Sequence, residues 1–139
     1  MSLERFVEAQ DKVYERALGE LRRGEKRSHW MWYVFPQFVG LGSSPTSRNY
    51  AIKSREEAKA YLAHPILGPR LIECAEAALQ IEGHSAVQIF GSPDDMKLRS
   101  SATLFAAVSS GGSVFHRLID KYFDGKQDVR TLELISQAR

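Results

Sequence analysis

Ser92-Pro93-Asp94-Asp95 opens the run that most constrains how this chain can fold. A serine able to cap, a proline at the first helical position and two acids at the positive end of the helix dipole start a helix there. Its second half, Ala102-Thr103-Leu104-Phe105-Ala106-Ala107-Val108, is apolar nearly all round. A surface helix needs only one apolar stripe, so a helix of this kind has to be enclosed by others. Lys97, Ser100, Ser101, Leu104 and Val108 share one of its faces at three- and four-residue spacing. The chain has 139 residues, which fits one domain spanning 1–139 with the helix near residues 93–108 at its centre.

The enclosing elements also read as helices. Leu3, Phe6, Val7, Val13, Tyr14, Ala17, Leu18 and Leu21 recur at helical spacing, with Ser2 as cap and Gly24 as stop. Gln10 falls on that apolar stripe. Ser54 with Glu57 forms a capping box for a helix ending near Ala63, and Pro65 breaks it. A second helix is expected over about 66–81, with Pro69 tolerated in its first turn. Ser85 with Gln88 caps a short helix ending near Gly91. After the break at Ser109-Ser110-Gly111-Gly112-Ser113, residues 114–122 and 129–137 read as the last two helices. Residues 34–39 form the one tempting strand run, and Pro36 spoils it. The expectation is an all-α, compact multihelical domain with a long Gly/Ser loop near residues 36–53.

Both tryptophans lie in Ser28-His29-Trp30-Met31-Trp32-Tyr33-Val34-Phe35-Pro36-Gln37. Each buried aromatic side chain removes roughly 150–250 Å² from water, so this density belongs in a core or around a ligand. Trp30 and Trp32 can form a ring platform beside the imidazole of His29, or anchor the core. Gln10 and Gln37 are amides among apolar neighbours; they tether loop backbone or hold a ligand. Gly40 to Arg48 combines exposed backbone N–H groups, the Ser43 hydroxyl and the Arg48 guanidinium, a set able to cradle phosphate. It lacks the Gly-Lys-Ser/Thr ending of a Walker loop, and an ordinary turn-rich loop is the favoured reading.

The totals exclude several classes. A net charge of +2 gives no general affinity for nucleic acid. The lone Cys74 excludes an internal disulfide and a cysteine-based metal cluster, and its apolar helix face reads as core. The histidine spacings match no zinc pattern, and neither a metal nor a cofactor is expected. No long apolar run suggests a membrane span or leader, so a cytoplasmic protein is the default.

Phe6-Val7-Glu8-Ala9-Gln10, His29-Trp30-Met31-Trp32 through Phe35-Pro36-Gln37, and Phe90-Gly91-Ser92-Pro93-Asp94-Asp95 with Lys97-Leu98 stand as three blocks. With Gly40-Leu41-Gly42, Tyr61-Leu62-Ala63-His64-Pro65 and Leu67-Gly68, they resemble a family of short bacterial proteins known as a domain of unknown function. Some members carry the label calpastatin by erroneous transfer. The resemblance runs from about residue 3 to 134 and implies a compact all-α fold without an established activity. A looser similarity, carried by Phe90-Gly91, connects the chain to the NAD- and ADP-ribose-associated (NADAR) superfamily of small helical domains.

The residues therefore suggest a pocket for a nucleotide-like or ADP-ribose-like small molecule. It would be lined by Gln10, His29, Trp30, Trp32, Gln37, Ser43, Arg48, Lys97 and Ser101. If the ligand is turned over, His29 or Asp95 is the candidate base and Lys97 the group that stabilises negative charge. The alternative is a non-enzymatic module in which residues 22–37, a basic connector followed by exposed aromatics, bind protein or RNA. Glu20 and Glu25 dilute that connector, which also reads as a solvated helix end.

Overall fold

The computed structural model describes residues 3–138, and its architecture is all-α. Among the described residues ten helices follow in chain order: α1 (Glu4–Asp11), α2 (Tyr14–Arg23), α3 (Met31–Val34), α4 (Pro45–Asn49), α5 (Arg55–Ala63), α6 (Leu67–Gln80), α7 (Ala86–Phe90), α8 (Asp94–Ala107), α9 (Val114–Phe123) and α10 (Val129–Gln137). The expected central helix is α8. It packs against α5, α7, α9 and α10, while α6 packs on α2, α3, α5 and α9. Seven consecutive residues of α8, Ser100 to Ala106, are buried, as its apolar second half requires. Rings join the layers: Phe105 lies 5.4 Å from Tyr61 and 5.6 Å from Phe115 between centroids.

Several boundaries differ from expectation. The first helix is two: the chain tightens at Val13, whose N–H donates to the Gln10 carbonyl at 2.9 Å, and restarts at Tyr14. No glycine or proline marks that break. The proposed cap Ser2 lies outside the described residues. Gly24 ends α2 in the left-handed region at φ 77°, where glycine is favoured. Ser92 is not the N-cap of α8; Pro93 occupies that position after a cis peptide bond. The first turn is closed by backbone instead, from the Asp95 N–H to the Gly91 carbonyl at 2.9 Å.

The Gly/Ser loop is not structureless. Ser44 caps the short helix α4 by accepting from the Ser47 N–H at 3.1 Å. Phe38 and Ile52 form an isolated parallel bridge, held by Val39 N–H to Ile52 carbonyl and Ile52 N–H to Gln37 carbonyl, each 2.8 Å. Proline stops pairing at residue 36 only; the donors beyond it are free to pair. Ser54 caps α5 as expected, but Glu57 does not return to its N–H. The Glu57 carboxylate accepts from the Lys53 N–H at 2.7 Å and pairs with Arg5 at 3.5 Å. No helix among the described residues is long and apolar enough to cross a membrane.

Candidate functional site

The 28–37 segment is positioned from beneath by Glu20, which is 2% exposed on α2. Its carboxylate accepts from the Arg27 N–H (2.8 Å), the Ser28 N–H (3.0 Å), the Ser28 hydroxyl (2.5 Å) and the Trp30 indole N–H (2.8 Å). Burial alone would raise its pKa from 4.5. The Ser28 hydroxyl, the two backbone N–H groups and the indole outweigh burial and hold it at about 2. Trp30 is therefore a fully enclosed anchor, 0% exposed, not half of an open platform. In the sequence Glu20 reads only as an acid that dilutes the basic connector. The available signal was its place three residues after Ala17, beside the apolar stripe and close to an indole that needs an acceptor.

Gln10 is internal as well. Its amide donates to the Tyr33 carbonyl at 2.7 Å and to the Tyr61 hydroxyl at 2.8 Å, and its oxygen faces the Arg70 guanidinium at 3.5 Å. Both ends are occupied by protein, which is the tethering arrangement. Cys74 is enclosed, and burial pushes its thiol up to about 12.

Trp32 and Tyr33 point to different sides of α3 and line two separate clefts. Trp32, Gln37, Ser43, Lys97, Ser100 and Asp128 line a cleft of about 460 Å³ between the 37–47 segment, the start of α8 and the start of α10. Tyr33 lines another of about 730 Å³ with His29, Arg5 and Tyr50. Of the sequence-predicted set, the first cleft gathers Trp32, Gln37, Ser43 and Lys97. His29 is exposed in the other cleft, so the structure does not bring it to Lys97. Arg48 is exposed on α4 and lines neither cleft. Asp95 and Ser101 are buried off the cleft wall; Asp95 Oδ1 and Ser101 Oγ have no hydrogen-bond partner among the described residues.

Lys97 brings its ammonium to the lining of the Trp32 cleft, and Asp94, off the lining, holds it from behind. Asp94 Oδ2 lies 2.7 Å from Lys26 Nζ and its Oδ1 lies 3.2 Å from Lys97 Nζ. Lys26 is 6% exposed and also donates to the Ser28 carbonyl at 2.6 Å. Lys97 is 20% exposed, with its ammonium 4.1 Å from the Trp32 ring centroid. Also on the lining, Asp128 caps α10. Its Oδ2 accepts from the Thr131 N–H at 3.0 Å, the Thr131 hydroxyl and the Ser100 hydroxyl at 3.2 Å. Ser44 and Ser47 bond each other, so these two hydroxyls of the supposed phosphate cradle are already used. The Gln37 amide, the Ser43 hydroxyl, the Trp32 indole N–H and Asp128 Oδ1 make no hydrogen bond within the described residues.

The 22–37 segment offers no continuous basic–aromatic face. Trp30 is buried, the Lys26 side chain pairs with Asp94 at 2.7 Å, Arg22 pairs with Glu73 at 3.5 Å, and Arg27 pairs with Glu25 at 2.9 Å. Among the described residues no group of three or more His, Cys, Asp or Glu side chains could hold a metal ion.

Residues 1–135 match the family described as "Protein of unknown function (DUF1810)". This chain belongs to the DUF1810 family. The DUF1810 architecture recurs in the crystal structure of the conserved hypothetical protein Rv1873 from Mycobacterium tuberculosis, which is 53% identical. The superposition has a TM-score of 0.95 and covers 96% of each chain. No curated protein matches the chain significantly. DUF1810 membership therefore accounts for the three sequence blocks and for the fold.

Proposed function

We propose that this DUF1810 protein binds a nucleotide-like small molecule in the Trp32 cleft, in the cytoplasm. The observation that carries the reading is the set of unused polar groups around one half-buried indole. The Gln37 amide both donates and accepts, the Ser43 hydroxyl does the same, and Asp128 Oδ1 accepts. A cleft of about 460 Å³ with a ring and a few convergent polar groups has the composition of a small-molecule site. A planar base fits the indole, since stacking contributes about 1–3 kcal/mol per base. Sugar hydroxyls fit the acceptor at Asp128. His29 lines the other cleft, Asp95 is buried off the Trp32 cleft, and neither receives a role in this reading.

The test is a titration with ribonucleosides, their monophosphates and ADP-ribose, followed by intrinsic fluorescence and melting temperature. Trp30 is enclosed, so a fluorescence change at low ligand reports Trp32. Binding should raise the melting temperature in proportion to ligand excess. Trp32→Phe should weaken the fluorescence response, and Trp32→Ala should weaken binding. A full panel with neither response at millimolar concentration would falsify the proposal.

A further inference from the structure

We infer that the cleft selects a ligand carrying an anionic group, and that Lys97 holds this group by giving up Asp94. The inference rests on the nucleotide-like reading of the cleft. Asp94 is shared by two ammonium groups, Lys26 at 2.7 Å and Lys97 at 3.2 Å. Asp94 therefore has one more cation than it needs, and Lys97 is the one of the two that lines the cleft.

The two lysines are not equivalent. Lys26 is the buried partner, tied also to the Ser28 carbonyl and lying 5.0 Å from the Trp30 ring centroid. A buried ammonium without a partner is strongly disfavoured, so Asp94 stays with Lys26. Lys97 is the more exposed partner at the longer distance, on the cleft wall above Trp32. In an isolated ion pair, recruiting the lysine to a ligand would orphan the acid. Here the acid keeps a second cation, so Lys97 can turn to a phosphate while every charge remains paired. Charge-assisted bonds to phosphate oxygens are among the stronger polar contacts.

Asp128, which bonds Ser100 one turn along α8 from Lys97, gives direction. Asp128 would repel a phosphate and accept from hydroxyls, so the ligand lies with its phosphate toward Lys97 and its sugar toward Asp128. The exchangeable Lys97 ammonium thus points to a nucleoside monophosphate or a related phosphate ester over the bare nucleoside.

The experiment titrates four ribonucleosides and their 5′-monophosphates against the wild type, Lys97→Gln and Lys97→Arg at low and at physiological salt. In the wild type, at least one monophosphate should bind about tenfold or more tighter than its nucleoside, the size of a hydrogen bond to a charged group. That preference should shrink with added salt. It should disappear in Lys97→Gln and survive in Lys97→Arg. Melting curves on the same samples should place Lys97→Gln close to the wild type, because Asp94 retains Lys26. Equal affinity for nucleoside and monophosphate in the wild type would overturn the anion assignment and leave the nucleoside reading standing. A preference that persists in Lys97→Gln would overturn the assignment to Lys97. Binding of neither ligand class would overturn both readings. If Lys97→Gln melts far below the wild type, the ion pair is structural and the exchange of partners is excluded.

Discussion

Trp30 and Trp32 are two residues apart and do opposite things. Trp30→Ala removes a fully enclosed indole and leaves Glu20 short of one donor, so a loss of about 3–5 kcal/mol is expected. Trp32→Ala removes a half-buried ring from a cleft wall and should cost less than about 1 kcal/mol. Urea unfolding of both variants checks this; similar losses would mean that both rings are core. Glu20 supplies a pH prediction. Its folded pKa lies near 2, below the ordinary 4.5, so the unfolded chain binds its proton first as pH falls. Its contribution to stability is complete above about pH 4.5 and is lost as pH falls toward 2. Glu20→Gln should therefore be less stable at neutral pH, and its stability should fall less steeply than the wild type across that window. Denaturant midpoints measured from pH 6 to pH 2 test it; parallel curves would show that Glu20 is not a protonation site coupled to folding. The sequence made the importance of this segment legible through ring density. It did not show which ring faces inward, because one turn of helix between irregular stretches has no period to read. Gln10 was recognisable as an internal amide because it sat on a regular apolar stripe.

At the scale of elements, legibility followed the local chemistry of caps. The Ser85–Gln88 capping box, Ser54 at α5 and Gly24 after α2 all end or begin helices where side-chain chemistry requires it. The break between α1 and α2 left no such mark, since it is made by backbone tightening at Val13. The packing of α5 on α6 was also silent in the sequence. It depends on Gly68, where an added Cβ would lie 2.1 Å from the Leu62 carbonyl oxygen. That neighbour is backbone and cannot swing away. Alanine would gain up to about 1 kcal/mol in helix propensity. Overpacking costs roughly 1–3 kcal/mol, and the contact here is severe, so the clash wins. Gly68→Ala should therefore destabilise, whereas Gly111→Ala, which meets nothing within 4 Å, should be nearly neutral. Guanidinium unfolding of the pair decides it. Equal midpoints would show that α5 and α6 can separate slightly without penalty.

Across the whole molecule, Cys74 offers a probe of how cooperatively the helices hold together. It lies on α6, 0% exposed, on the helix that packs against α2, α5 and α9. Two barriers protect it. Burial outweighs the opposing hydrogen bond from Tyr14 and holds the thiol at about 12, so very little reactive thiolate exists at neutral pH. The enclosure also keeps a reagent out until the helices part. Labelling by a thiol reagent at neutral pH should thus be slow in the native protein and fast in denaturant. If α6 leaves the core only when the whole domain unfolds, the opening free energy from labelling should equal the global value from denaturant unfolding. Added urea should then lower both with the same slope, since each opening exposes the same surface. A labelling free energy well below the global value, with a shallow urea dependence, would show that the seam between α2 and α6 opens by itself. The same assay reads ligand binding without relying on tryptophan. A compound that binds only the folded state slows labelling by the factor 1 + [L]/Kd, provided Cys74 reacts through global opening. A nucleoside monophosphate that quenches Trp32 but leaves the labelling rate unchanged would mean that the cleft and the α2–α6 seam belong to separately opening units.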